Sequence, residues 1–136
     1  MRLLIILLLF FIVVTNVKSQ DNKEYLILIA FIKTESNFKY LKKYGEIVMC
    51  FSKGAKNDWG ILQITPIMVK EYNNITGEKL KHSDCFYVKK SIKIFLTVQR
   101  IHNPDFNIKK AANFWNCGSI SKHNSKYYKN ILSNLK

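Results

Sequence analysis

The apolar residues of this chain form one long N-terminal run, followed by shorter segments with helical spacing. Residues 3–14 are almost purely apolar, with Arg2 before them and the more polar residues 15–19 after them. A basic start, about a dozen apolar residues and a small-residue exit are typical of a secretory signal peptide. We therefore expect cleavage near Ser19-Gln20, with residues 1–19 as the signal peptide and residues 20–136 as one secreted or periplasmic domain. The run is shorter than the roughly 20 apolar residues of a membrane span, so its retention as an anchor is the less favoured alternative.

Beyond residue 20, the hydrophobic pattern predicts a mainly α-helical domain. Residues 25–32 are eight consecutive apolar residues and predict a buried helix, although a buried strand has the same pattern. Residues 39–59 contain two glycines and the Asn57-Asp58 pair, which predict an irregular loop or a small hairpin. Apolar spacing and capping residues predict four further helices: from the Thr65-Pro66 cap to about Asn73-Asn74, from a cap at Ser83 or Asp84 to about Ile101, over Ile108–Trp115 and over Tyr127–Leu135.

One acidic residue lies at the end of the predicted buried helix. On a helix, Glu35 lies one turn beyond Phe31 and Ile32, so its carboxyl group shares their apolar side. Lone buried charges are costly, and burial raises the pKa of a glutamic acid above its ordinary value of about 4.3. Glu35 is therefore the first candidate for acid–base chemistry, the alternative being a helix-end acid paired with a lysine.

Composition narrows the classes of function. The 136 residues are 48% hydrophobic, which excludes a disordered tail and fits one domain. Loss of residues 1–19 removes Arg2 and Lys18 and lowers the net charge from +13 to +11. Such a charge attracts an anionic cell wall or membrane surface, or simply keeps the domain soluble. Since Arg100 is the only arginine beyond residue 19, we do not expect nucleic-acid recognition, which favours arginine.

The cysteines and histidines add little. Cys50, Cys85 and Cys117 make an odd number and predict no disulfide framework, although one pair could close outside the cytoplasm. His82, Asp84 and Cys85 lie close together, but one such cluster without further partners is a poor metal site. We therefore expect neither a metal nor a cofactor.

Three separated motifs occur in a recognisable order. Glu35-Ser36-Asn37-Phe38 ends the buried helix, Asp58-Trp59-Gly60-Ile61-Leu62-Gln63-Ile64-Thr65-Pro66 follows the loop, and Phe114-Trp115-Asn116-Cys117-Gly118 precedes Tyr127-Tyr128. Together they resemble the lysozyme-like superfamily, specifically the peptidoglycan-cleaving domains of the soluble lytic transglycosylase (SLT) type. In those domains Glu-Ser, Gly-Leu-Met-Gln, Ala-Tyr-Asn-Ala-Gly and a late tyrosine follow one another. The likeness extends from about Glu24 to Leu132, with departures at Leu62, Trp115 and Cys117.

The resemblance implies a lysozyme-like single domain that acts on peptidoglycan glycan strands. The bond cleaved is the β-1,4 bond between N-acetylmuramic acid and N-acetylglucosamine. The resemblance makes Glu35 the general acid and then the general base, which gives 1,6-anhydro ends without a protein nucleophile. The residues that it places at the substrate are Ser36, Gly60, Gln63, Trp115, Asn116 and Tyr127.

Three alternatives stay open. Asp58 resembles the second catalytic carboxylate of animal-type lysozymes, which favours a hydrolytic muramidase using Glu35 with Asp58, although Asn-Asp pairs are also common in turns. A non-enzymatic cationic protein that binds the wall or a membrane is the second alternative. A component of a secretion or conjugation apparatus is the third, and it concerns the role rather than the chemistry. We expect a monomer without nucleic-acid partners and without a membrane span once the signal peptide is removed.

Overall fold

A computed structural model describes residues 21–118 and 122–135, so the predicted signal peptide and its cleavage site lie outside the described residues. The described part is mainly helical with one small antiparallel hairpin, which confirms the predicted class at that level. Its elements are α1 (Asp21–Glu35), β1 (Leu41–Tyr44), β2 (Ile47–Cys50), α2 (Pro66–Thr76), α3 (Val88–His102), α4 (Ile108–Cys117) and α5 (Ser125–Ser133), with a 3-10 helix at His82–Phe86.

The apolar run at residues 25–32 is a helix at the centre of the core, not a strand. Ile27, Leu28 and Phe31 are at most 1% exposed, and α1 contacts both α3 and α5. The Phe31 ring lies 5.0 Å from the ring of Phe95 on α3. Burying a side chain of this size contributes about 2 kcal/mol, so its apolar side chains hold α1 against α3 and α5. Among the described helices, none is both long and apolar enough to cross a membrane.

Helix α2 begins where the sequence predicts and ends later. The Thr65 hydroxyl accepts the Met68 backbone N–H at 3.3 Å, and Pro66 occupies the first turn. The helix continues past the predicted end at Asn73-Asn74 as far as Thr76. It ends there because Gly77 adopts a left-handed conformation (φ +75°) and donates its N–H to Asn73 O at 2.8 Å.

The predicted cap of α3 at Ser83 or Asp84 is wrong. The Asp84 carboxylate accepts the Lys81 backbone N–H at 2.7 Å and binds the Lys90 ammonium at 2.6 Å. These local bonds stabilise the 3-10 helix, and α3 starts only at Val88. Near the C-terminus, α5 is capped by Asn124 and starts at Ser125, two residues before the predicted start at Tyr127.

The hairpin is the second of the two structures predicted for residues 39–59. Gly45 has φ +58° at the first central position of the turn, where glycine meets little steric resistance. Leu41 pairs with Cys50 and Tyr44 with Ile47. Since Val48 and Cys50 are buried, the alternate positions of β2 form the outer face of the hairpin.

Candidate active site

Glu35, the last residue of α1, meets the tyrosine that ends the sequence motif. The Tyr127 hydroxyl donates a hydrogen bond to Glu35 Oε1. Asn124 fixes the start of α5 by accepting the Tyr127 backbone N–H at 3.0 Å. Phe31, one turn before Glu35, packs edge-on against the Tyr127 ring with centroids 6.2 Å apart. Packing of α1 against α5 therefore holds the pair, and within the described part no lysine forms an ion pair with Glu35.

The environment of Glu35 favours its protonated form. The pKa of Glu35 is raised from 4.5 to about 7: burial is the largest cause, the hydrogen bond from Tyr127 opposes it, and the negative charge of Asp58 adds to it. Burial and the neighbouring Glu35 carboxylate also raise the pKa of Tyr127 well above its ordinary value, so its hydroxyl keeps the proton that it donates. A carboxyl group with a pKa near 7 can both give and take a proton at neutral pH.

Strained backbone follows this acid along the chain. Phe38, three residues after Glu35, has φ +55°, which is uncommon for so large a side chain and costs on the order of 1–2 kcal/mol. Five of the six non-glycine residues with positive φ in the described part lie between residues 37 and 63: Asn37, Phe38, Tyr40, Asn57 and Gln63. Strain of this kind concentrates at functional sites, and no glycine or proline in the sequence announces it.

Asp58 is a turn residue whose charge also reaches Glu35. Its Oδ1 accepts the Lys56 backbone N–H at 3.1 Å, and its carbonyl accepts the Gly54 N–H at 2.7 Å. A Cβ atom at Gly54 would lie only 2.2 Å from Asp58 Oδ1, so the missing side chain makes room for the carboxylate. The turn interpretation from the sequence is correct, and the same turn holds the charge of Asp58 where it raises the pKa of Glu35.

Gln63 is held at both amide protons. Trp59 and Ile64 exchange backbone hydrogen bonds of 3.0 and 2.8 Å and close a tight loop around it. Gln63 Nε2 donates to Ser52 Oγ at 2.9 Å and to Gly60 O at 2.8 Å. The side-chain oxygen is left as an acceptor without a partner among the described residues, which suits it to an amide N–H of a ligand.

Gly60 allows this loop to touch the 3-10 helix. It has φ +81°, and a Cβ atom there would lie 2.0 Å from the Cys85 carbonyl oxygen. Its N–H donates to Ser52 O at 2.9 Å. Gly60 therefore shapes the loop that carries Gln63 through its backbone.

The other predicted site residues make contacts of their own. The Trp115 indole N–H donates to Leu62 O at 3.1 Å, and its ring packs on Phe95 at 4.8 Å. Trp115 thus fixes the Gln63 loop against α4 and leaves the hydrogen bond on Glu35 to Tyr127. Asn116 is exposed and accepts from Asn124 at 2.9 Å. Ser36 is buried and donates back to a carbonyl of α1 at 3.4 Å.

The histidine and cysteine residues considered in the sequence analysis do not form a second site. His82 is bonded to the Ile64 carbonyl at 2.7 Å and stacks on Trp59 with ring centroids 4.1 Å apart. The described residues contain no group of three or more metal-binding side chains. All three cysteines are free, and burial raises the pKa of Cys50, and that of Cys85 to about 12. The buried thiols are therefore poor nucleophiles.

Two residues of the site escaped the sequence argument. Ser52 holds the amide of Gln63, and Gly54 accommodates the carboxylate of Asp58. Gly54 lies four residues before Asp58, a spacing suited to a closed turn. This spacing could have predicted the contact between Gly54 and Asp58. Ser52 carries no such signal, because its role depends on a contact with a loop eleven residues away.

The hydrogen bond between Tyr127 and Glu35 can be tested by titration. In a Tyr127→Phe variant, we expect the titration midpoint of Glu35 to rise by about one pH unit, because the carboxylate loses a donor that stabilises its charge. The carboxyl ¹³C shift of Glu35, followed by NMR against pH, measures this midpoint. Tyr128→Phe is the matched control and should leave it unchanged. A midpoint that falls in the Tyr127→Phe variant would contradict the assigned contact.

We compared the chain with known protein families, curated proteins and solved structures. No family model matches the chain, and neither a curated protein nor a solved structure matches it.

Proposed function

We propose that this protein is a lysozyme-like enzyme that cleaves the β-1,4 bond between N-acetylmuramic acid and N-acetylglucosamine in peptidoglycan by lytic transglycosylation. The observation that carries the proposal is Glu35: a carboxyl group at the end of a buried helix, with a pKa of about 7 and a tyrosine hydroxyl on one oxygen. Cleavage of a glycosidic bond needs a proton donor for the leaving oxygen, and few carboxyl groups hold a proton at neutral pH.

The order of the supporting elements agrees with the sequence resemblance. A helix ends in the acid, a small hairpin follows, and the Asp58–Gln63 segment after the hairpin forms a tight loop. The late tyrosine returns to the acid from α5, 92 residues along the chain. The side-chain oxygen of Gln63 has no hydrogen-bond partner among the described residues, which fits the N–H of an N-acetyl group on the sugar. These features support a lysozyme-like arrangement and a substrate that carries acetamido groups.

In the proposed reaction Glu35 acts twice. Its carboxyl group first gives a proton to the glycosidic oxygen, and the bond from that oxygen to C1 of N-acetylmuramic acid breaks. The C6 hydroxyl of the same sugar then bonds to C1, and the Glu35 carboxylate takes the hydroxyl proton. The products are a new N-acetylglucosamine hydroxyl and a 1,6-anhydro end, and no water is consumed. A pKa of about 7 suits both halves, because neither protonation state is scarce at neutral pH.

A hydrolytic muramidase is the second candidate, and the position of Asp58 favours it. The negative charge of Asp58 raises the pKa of Glu35, as expected for two carboxyl groups that lie near each other. In that reaction water attacks C1 directly when Asp58 is the base or an electrostatic partner. When Asp58 is the nucleophile, its carboxylate bonds to C1 first and water then breaks that bond. One oxygen of Asp58 is occupied by the Lys56 N–H, which leaves the other for such a role.

Gly54→Ala separates these two roles of Asp58 without changing its charge. The new Cβ would meet the Asp58 carboxylate at 2.2 Å, so the side chain must turn away while the backbone adjusts little. If cleavage is transglycosylation, we expect Gly54→Ala and Asp58→Asn each to lower the rate less than about tenfold, because Asp58 then supplies no bond to the sugar. If Asp58 reacts directly, both variants should lose about 10²-fold or more. Initial rates of muropeptide release measure the difference.

Product analysis tests the proposed function itself. The full chain is expressed for export, collected in its processed form and incubated with purified peptidoglycan. The products are identified by mass spectrometry. Glu35→Gln keeps the size of the side chain and removes the proton donor. Glu78→Gln, which alters an exposed acid paired with Lys93, is the matched control.

Each product has a distinct meaning. Anhydro-ended muropeptides that vanish in Glu35→Gln but persist in Glu78→Gln are the expected result. Reducing ends lost in the same variant would replace the transglycosylase with the muramidase. Equal cleavage by both variants, or no cleavage of any wall type, would overturn the enzyme proposal and favour a cationic binding protein.

A further inference from the structure

Exposed apolar side chains concentrate on one edge of the molecule, at the β1–β2 hairpin. Tyr44 and Ile47 form the last cross-strand pair before the turn and are 53% and 50% exposed. Phe51, which follows β2, is 40% exposed and packs on Phe86 with ring centroids 5.5 Å apart. Isolated exposed apolar residues are ordinary on a protein surface, whereas a contiguous group of them marks a contact with a partner.

Lysines are interleaved with these apolar side chains. The Lys42 ammonium lies 5.8 Å from the centre of the Phe51 ring, and Lys53 lies 4.8 Å from that of Trp59. Lys39 and Lys43 are also exposed, and Glu46 is the only acid in residues 39–53. None of these four lysines forms an ion pair in the part of the chain that the structure describes. We call Lys42, Tyr44, Ile47, Phe51 and Lys53 the hairpin patch.

The combination selects among partners. A soluble polyanion would contact the lysines but not the apolar side chains of Tyr44 and Ile47. A neutral glycan would contact the apolar side chains but would not need the lysines. A second copy of this chain would bring a second set of unpaired lysines against the first, which opposes association. A bilayer surface with anionic headgroups uses both: lysines near the phosphates, with their stems and the tyrosine and isoleucine side chains in the interface.

We propose that the hairpin patch docks the protein on a membrane surface that carries anionic lipids. The tip of the hairpin, Tyr44 and Ile47, enters the headgroup region, and Lys42 and Lys53 lie over the anionic groups beside it. The contact is peripheral, since the hairpin is only four residues long on each strand. It does not use Glu35, so it stands independently of the proposed catalytic function.

Vesicle co-sedimentation tests the proposal with the exported and processed protein. Phosphatidylcholine vesicles with and without phosphatidylglycerol are compared in about 0.1 M salt, where exposed charges act over about 10 Å. The apolar variant is Tyr44→Ser with Ile47→Ser, and its matched control is Ile67→Ser with Ile101→Ser, two residues outside the patch that are 80% and 58% exposed. The basic variant is Lys42→Gln with Lys53→Gln, matched by Lys109→Gln with Lys129→Gln, two exposed lysines outside the patch.

We expect binding only to the anionic vesicles. Each patch lysine contributes about fivefold to the partition coefficient, so the basic variant should bind about 25-fold more weakly. The apolar variant should also bind at least about tenfold more weakly, while the two controls and Glu35→Gln remain close to the unaltered protein. Thermal unfolding of every variant checks that the fold is kept, and Tyr44→Ser alone replaces the apolar variant if the double change lowers stability.

Three results would overturn the proposal. Loss of binding in the basic variant but not in the apolar one would mean that the surface binds anions by charge alone. Equal behaviour of the patch variants and their controls, or equal binding to both kinds of vesicle, would remove the patch as a lipid-binding surface.

Discussion

Glu35→Gln is expected to abolish glycan cleavage and, at the same time, to stabilise the fold above pH 7. On the proposed mechanism the amide cannot give or take the proton, and loss of a general acid lowers rates by about 10²–10⁴-fold. In the unaltered enzyme the cleavage rate should fall above about pH 7, where the proton donor is lost. The rate of muropeptide release, measured against pH for both proteins, tests the loss of cleavage and the fall in rate above pH 7.

The gain in stability follows from the raised pKa. Between pH 4.5 and about 7 the folded protein holds a proton on Glu35 that the unfolded chain releases. The folded state is therefore penalised progressively as the pH rises through this range, and the penalty is constant above it. The shift from 4.5 to about 7 corresponds to about 3 kcal/mol. We expect Glu35→Gln to match the unaltered protein at pH 4 and to exceed its unfolding free energy by up to about 3 kcal/mol at pH 8.

Urea unfolding of the two proteins at both pH values measures this difference. Glu78→Gln is a control of opposite sign, because the hydrogen bond with Lys93 lowers the pKa of that exposed acid and its charge stabilises the fold above its ordinary pKa. A stability difference for Glu35→Gln that does not change with pH would mean that Glu35 is not held in its protonated form by burial.

Gly60→Ala should prevent stable folding. The added Cβ would lie 2.0 Å from the Cys85 carbonyl oxygen and 2.8 Å from its carbon, and both are backbone atoms of the 3-10 helix. That carbonyl also accepts the Ser91 hydroxyl at 2.6 Å, so it cannot move without breaking a buried hydrogen bond. Together with φ +81°, this predicts a loss of more than about 4 kcal/mol in unfolding free energy.

Gly45→Ala is the matched control. Gly45 also has a positive φ, of +58°, but a Cβ atom there would meet no atom within 4 Å. Its replacement should cost only about 1–2 kcal/mol, which is the cost of the left-handed backbone alone. Urea unfolding and the yield of folded protein measure both variants. Equal losses would show that the close approach of the Gly60 loop to Cys85 is not required.

Local chemistry accounts for the parts of the fold that the sequence predicted. Eight consecutive apolar residues before Glu35 specify a buried segment, which the structure shows to be a helix rather than a strand. Thr65-Pro66 specifies the start of α2 through a cap that involves only neighbouring residues. The start of α3 was mispredicted because the Asp84 carboxylate accepts hydrogen bonds from the Lys81 backbone N–H and the Lys90 ammonium instead of capping α3. That choice depends on competing hydrogen bonds, which residue type alone does not rank.

The site divides in the same way. A buried acid with a raised pKa could be anticipated from the apolar neighbours of Glu35 along one helix. The choice of Tyr127 over Trp115 as its partner could not, because each indole or hydroxyl reaches a group more than 50 residues away. Likewise, the left-handed conformations of Phe38 and Gln63 contradict the local preference of these residue types, so residue type alone does not predict them.

The free thiols have a consequence for how long the protein survives in an oxidising medium. Cys50 and Cys85 are fully buried in the folded chain and carry no cross-link, so oxidants reach them only when the chain opens. In such a medium, each unfolding event exposes thiols that can form disulfides absent from the folded structure. A chain cross-linked in this way does not refold. The working lifetime of the protein is then set by its unfolding rate and not by disulfide bonds.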